Sequence, residues 1–131
     1  MTDVDLATAQ GIVRKAVEAA QGQGLPVAAV VVDRGGHPVA MARMDGVSFV
    51  MSDAARRKAT MAGAMGAPTH AVAEMAKSDD LIAAAFTGSD HVLALPGGLP
   101  IMGDSGPIGG IGIAGGHYTQ DQAIAEAAAG G

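Results

Sequence analysis

VAAVVVDRGGHPVAMARMDG, residues 27–46, decides the fold. Val27 to Val32 is an unbroken apolar run, the pattern of a strand covered on both faces. Asp33-Arg34-Gly35-Gly36 supplies the glycines of a tight hairpin. The return strand, Pro38 to Asp45, carries its charges only at its far end. Alternation puts Val39, Met41, Arg43 and Asp45 on one face, and Ala40, Ala42 and Met44 on the other. An apolar face that ends in Arg and Asp fits either a core face opening into a polar pocket or a charged strand end in solvent.

Working outward, Thr2 or Asp3 is placed to cap a first helix that runs to about Gln23. Its Ala9, Ile12, Val13, Ala16, Val17 and Ala20 form the stripe of a helix lying on a sheet. Gly24 ends it, and Pro26 leads into the first strand. Past the hairpin, Ser48 or Ser52 caps a second helix, Val50 to Gly63. On it Ala54, Lys58, Met61 and Met65 share one face, while Arg56 and Arg57 point elsewhere. A lysine in an Ala/Met stripe either snorkels to water or meets a carboxylate, because an unpaired buried ammonium is very costly. Asp45 is the nearest candidate.

Thr69 is read as the cap of a short helix to about Lys77, and Ser78-Asp79-Asp80 as the start of another, Leu81 to Phe86. Strands are expected at His91–Leu95, Leu99–Met102 and Pro107–Ala114, five in all. Glycines 109, 110 and 112 inside the last strand mark a close approach by the terminal helix, a subunit neighbour or a flat ligand. Thr119 is placed to cap a final helix, Gln120 to Ala129, with Asp121 in its first turn.

Composition narrows the function. The 131 residues make one domain, 1–131, that is 49% hydrophobic but only 2% aromatic. Its small side chains bury little area each, so further burial between copies is expected, as a homo-oligomer. A net charge of −5 with scattered basic residues argues against nucleic acid. The chain has no cysteine, no HxxxH or HExxH and no carboxylate cluster, so no protein-only metal site is expected. His70 and His91 read as surface residues. No run reaches bilayer length and no signal-peptide core is visible, so the expected location is cytoplasmic, away from membranes. Neither GxxxxGK nor a GxGxxG opening a helix is present. The amides of Gly115, Gly116 and the last helix's first turn could hold a carboxylate.

The hairpin VVDRGGHPVAMARMDG, the segment SDAARRKA, the run LPGGLPI and the stretch IGGIGIAGGHYTQDQAIAEAA occur in this order. In this the chain resembles the GlcG/HbpS-like haem-binding family, which includes the C-terminal domain of PduO-type corrinoid adenosyltransferases. The matching positions are Asp33, Gly35, Gly36, Arg43, Asp45, Gly46, Lys58, Pro96, Gly97, Gly98, Pro100, Gly112, Gly115, Gly116 and Asp121. The resemblance implies an α/β (α+β) profilin-like fold, with a five-stranded antiparallel sheet flanked by helices, assembling into dimers or higher oligomers. It also implies a small-molecule ligand, haem or a related tetrapyrrole, serving haem handling or redox sensing. His117-Tyr118 stands where the family carries a small residue.

The residues support a site made of Arg43, Asp45, Lys58, Gly115, Gly116 and His117, to which the resemblance adds Gly97 and Gly98. Under the tetrapyrrole reading these bind ligand. The alternative is a cofactor-free isomerase, hydratase or lyase acting on a small organic acid. There Arg43 clamps the carboxylate, Asp45 and Lys58 exchange a proton with substrate, and His117 titrates near neutrality.

Overall fold

The apolar run forms the second strand in from one edge of the sheet. The computed structural model describes residues 2–130. In chain order the elements are α1 (Leu6–Gly22), β1 (Ala28–Asp33), β2 (Pro38–Arg43), α2 (Phe49–Met65), α3 (Thr69–Ser78) and α4 (Asp80–Phe86). After a long connection come β3 (Gly98–Gly103), β4 (Gly106–Ala114) and α5 (Tyr118–Ala129). The four strands pair antiparallel in the order β2-β1-β4-β3, giving an α+β fold. Because β1 lies between two partners and between helix layers, every residue from Val27 to Val32 is buried.

Alternation on β1 divides the core in two. Ala29 and Val31, with Ile111 and Ile113 of β4, face α1 and α5 and meet Ala9, Val13, Ala16, Ile124 and Ala125. Ala28, Val30 and Val32 face the opposite way, onto Ala55 and Ala59 of α2. On that second face β4 presents glycines: Gly112 pairs with Val30, and Gly110 with Val32. Their missing side chains let α2 descend onto the sheet. A Cβ on Gly112 would collide with Ala55 O, and one on Gly110 with Ala59 O. The close approach expected from the glycines is real, and the element that makes it is α2.

Four local expectations change. His91–Leu95 is not a strand, so the described residues contain four strands and not five. The carbonyls of that region are taken by side chains instead: Arg57 Nη2 donates to Ser89 O (2.6 Å) and Val92 O (3.1 Å), and Arg56 Nη2 donates to Asp90 O (3.0 Å). α1 is capped by Asp5, whose Oδ1 accepts from Thr8 N at 2.7 Å, while Asp3 pairs with Arg34. At α2, Ser48 occupies the cap position without a side-chain cap bond, and Ser52 Oγ donates to Phe49 O. α5 is capped by the His117 side chain, not by Thr119. On β2 the charged end is the one in solvent: Ala40, Ala42 and Met44 pack on the core, as does Val39 beside the irregularity in the β1–β2 register, whereas Met41, Arg43 and Asp45 are exposed.

Candidate functional site

Lys58 lies on the buried stripe of α2 and is 1% exposed. Its partner is Asp121, not Asp45. Lys58 Nζ donates to Asp121 Oδ2 at 3.1 Å and to Ile113 O at 2.8 Å, and both side chains of the pair are buried. Asp121 reaches the pair from the first turn of α5, and its Oδ1 accepts from Gly116 N at 3.0 Å. Withdrawal from water pushes the Lys58 ammonium below its ordinary pKa, and the Asp121 charge and hydrogen bond offset part of that shift.

Both glycine pairs of the expected site close on this ion pair. Gly97, at φ +126°, lies so near it that an added Cβ would stand 2.9 Å from Lys58 Nζ and 2.7 Å from Ile113 O. Gly98 N donates to the buried Thr69 hydroxyl at 2.8 Å, and a Cβ there would stand 2.6 Å from Lys58 O. Thr69 therefore anchors the start of β3 where a helix cap was expected. Gly115, at φ +154°, lies against Val27, and Gly116 is held by Asp121. Lys58, Gly97, Gly98, Gly115 and Gly116 come together as a buried joint between α2, β3, β4 and α5.

Arg43, Asp45 and His117 stand outside that joint. Arg43 is exposed and its Nη1 donates to Val47 O at 2.5 Å, and Asp45 is exposed in the turn that follows. The expected convergence of Arg43, Asp45 and Lys58 does not occur, because β2 is an edge strand whose charged face looks to solvent. His117 is exposed at the mouth of α5. Its Nδ1 accepts from Thr119 N at 3.3 Å and lies 2.8 Å from Thr119 Oγ1, and its ring sits 4.0 Å from that of Tyr118.

Tyr118 marks a cleft that the sequence reading did not single out. An open hollow of about 420 Å³ lies between α3 and the segment before β3, lined by Ala73, Ala76, Lys77, Leu95, Pro96 and Tyr118. Its volume falls in the range of small-molecule sites, and most of its walls are apolar. Alanine runs on α3 and α4 leave the space, and α4 has no buried residue. Two other hollows carry less chemistry. The groove between α1 and β2, about 430 Å³, offers Arg14 and the Met41 thioether. A hollow of about 460 Å³ at the β3–β4 turn holds Asp104 as its one titratable side chain. Among the described residues no three His, Asp or Glu side chains cluster as metal ligands, and no helix is long and apolar enough to cross a membrane.

Residues 4–130 match the family model described as haem degrading protein HbpS-like. The chain belongs to the HbpS-like family. A double mutant of Streptomyces reticuli HbpS is 34% identical, with a TM-score of 0.88 over 99% of this chain and 87% of that one. The haem complex of PduOC is 31% identical, with a TM-score of 0.88 over 98% of this chain and 94% of that one. The corrinoid adenosyltransferase PduO of Salmonella typhimurium is 35% identical over 121 residues, which are 89% of this chain and 35% of that enzyme. This HbpS-like chain thus spans about a third of the full-length PduO.

Proposed function

We propose that this HbpS-like chain binds haem or a related tetrapyrrole, in the cleft beside Tyr118. The observation that carries the reading is an apolar hollow with a phenol at its wall. The chain also matches PduOC, whose structure is a haem complex, over almost all of both chains. The walls suit one face of a flat apolar ring, and Lys77 at the rim suits an acidic side arm. Its ion pair with Glu74, at 3.6 Å and largely in solvent, is weak enough to exchange.

An iron ligand must come from outside α1, since Leu6–Gly22 contains no histidine, cysteine or methionine. Tyrosine oxygen and histidine nitrogen both ligate haem iron, and the bound group would supply redox or ligand-sensing chemistry. Tyr118 fits better than His117. Tyr118 lines the cleft and His117 does not, and His117 Nδ1 is taken up by the cap bond from Thr119 N.

Titration with hemin tests this. A Soret shift that saturates at one haem per chain is expected, with Tyr118→Phe weakening it more than His117→Ala. The absence of any shift at stoichiometric haem would sink the reading. An acid–base enzyme built on Arg43, Asp45, Lys58 and His117 gains no support, because the Lys58 ammonium is enclosed and committed to Asp121 and Ile113 O.

The expected homo-oligomer belongs to this reading as well. Phe49 is 77% exposed and, with Pro38 and Met41, forms the apolar side of a shallow hollow bordered by Asp53 and Arg56, a face suited to cover by a second copy. Sedimentation should give a mass of two subunits or more, and a monomer at micromolar concentration would contradict it.

A further inference from the structure

Arg57 is the one partly buried arginine with no carboxylate partner among the described residues. Arg56 pairs with Asp53 and Arg34 with Asp3, while Arg14 and Arg43, which also have no carboxylate partner among the described residues, are exposed. Arg57 uses a single nitrogen, Nη2, to hold Ser89 O and Val92 O. Its Nε is buried with no acceptor at all. A buried guanidinium donor without a partner is unfavourable, and a planar fork with unused N–H groups matches a carboxylate.

The space over it has a definite size and character. A cleft of about 270 Å³ runs between α2, α3, α4 and the connection to β3, and Arg57, Phe86, Thr87 and Leu93 are among its walls. Apart from the guanidinium and the Thr87 hydroxyl, the side chains that line it are apolar. Its volume lies just below the range of drug-sized sites, so it suits a ligand of a few carbons. One cation in a short, open and mostly apolar cleft selects one negative charge on a short apolar body.

We propose that Arg57 and this cleft form a binding site for a short aliphatic monocarboxylate. The site is distinct from the Tyr118 wall of the larger cleft, although Ala76, Ala83 and Ala94 border both. It does not depend on tetrapyrrole binding, so a failed hemin titration leaves it standing.

The test observes the arginine Nε–H signals of ¹⁵N-labelled protein during titration with sodium propionate, against sodium chloride at equal ionic strength. Propionate should shift the Arg57 Nε–H signal, and the amides of residues 89–94, to saturation in the millimolar range, whereas chloride should not. Arg57→Lys, which replaces the fork by a point charge, should weaken the response about tenfold. Because Arg57 also holds the connection, Leu93→Phe provides a second variant that narrows the slot and leaves the arginine in place. It should abolish the response while the other signals keep their positions. Equal shifts with chloride, no saturation, or an unchanged response in Leu93→Phe would overturn the proposal.

Discussion

Lys58→Ala is expected to lower the unfolding free energy by about 3–5 kcal/mol, read as a shift in urea midpoint, because it strands the Asp121 carboxylate in the interior. Asp121→Asn should cost a comparable amount by leaving the ammonium uncompensated. Replacing both partners by apolar residues of similar volume, Lys58→Met with Asp121→Leu, should recover most of the loss, since a buried pair contributes little beyond a packed apolar pair. A Lys58→Ala protein as stable as the parent would show that water reaches the pair.

The pH dependence has a defined sign. The folded-state pKa of Lys58 lies below its ordinary 10.5. Between the folded and unfolded values the unfolded chain therefore holds more protons, so this group's contribution to stability rises with pH. Below the folded pKa both states are protonated and the contribution is flat. Stability of the parent relative to Lys58→Met should accordingly grow as pH climbs through the folded-state pKa toward 10.5. A relative decline there would contradict the assignment of burial as the larger influence.

Gly112→Ala should be at least as damaging, at about 3 kcal/mol or more, and Gly110→Ala similar. The added methyl meets the carbonyl of Ala55 or Ala59, which is helix backbone and cannot rotate away like a flexible side chain. Relief requires α2 to lift from β4, which would open the face built on Ala28, Val30 and Val32. Gly11→Ala on α1 serves as the control. Nothing lies within 4 Å of where an added Cβ would stand, so replacing a mid-helix glycine there should raise stability by about 0.5–1 kcal/mol. Equal effects at positions 11 and 112 would mean that the helix–sheet contact is looser than described.

Features written locally in the chain could be read from it. The Val27–Val32 run required two covered faces, the 33–36 glycines required a hairpin, and glycines 110 and 112 announced a close backbone neighbour. Features that depend on distant residues could not. His91–Leu95 has strand-like composition, but its neighbourhood is pinned by Arg56 and Arg57 from more than 30 residues away. Asp45 looked like the partner of Lys58 because it is close in sequence, yet the β4–α5 connection delivers Asp121 from 63 residues away. In the sequence Asp121 reads as a first-turn residue favoured by the helix dipole, a role that hides its ion pair. The clefts beside Tyr118 and Arg57 carried no local signal, since each exists only once α3, α4 and the connection to β3 are assembled.

The central claim places a tetrapyrrole against Tyr118 and makes the Lys58–Asp121 pair part of the framework. Amide spectra of the labelled protein during hemin addition test it most directly, because the paramagnetic iron broadens nearby signals. The account predicts loss of the signals of Ala73, Ala76, Leu95 and Tyr118 by one equivalent, while Val39 to Ala42 stay sharp. Broadening centred on Leu6, Val13 and Met41 in the α1–β2 groove, or none at all, would contradict it.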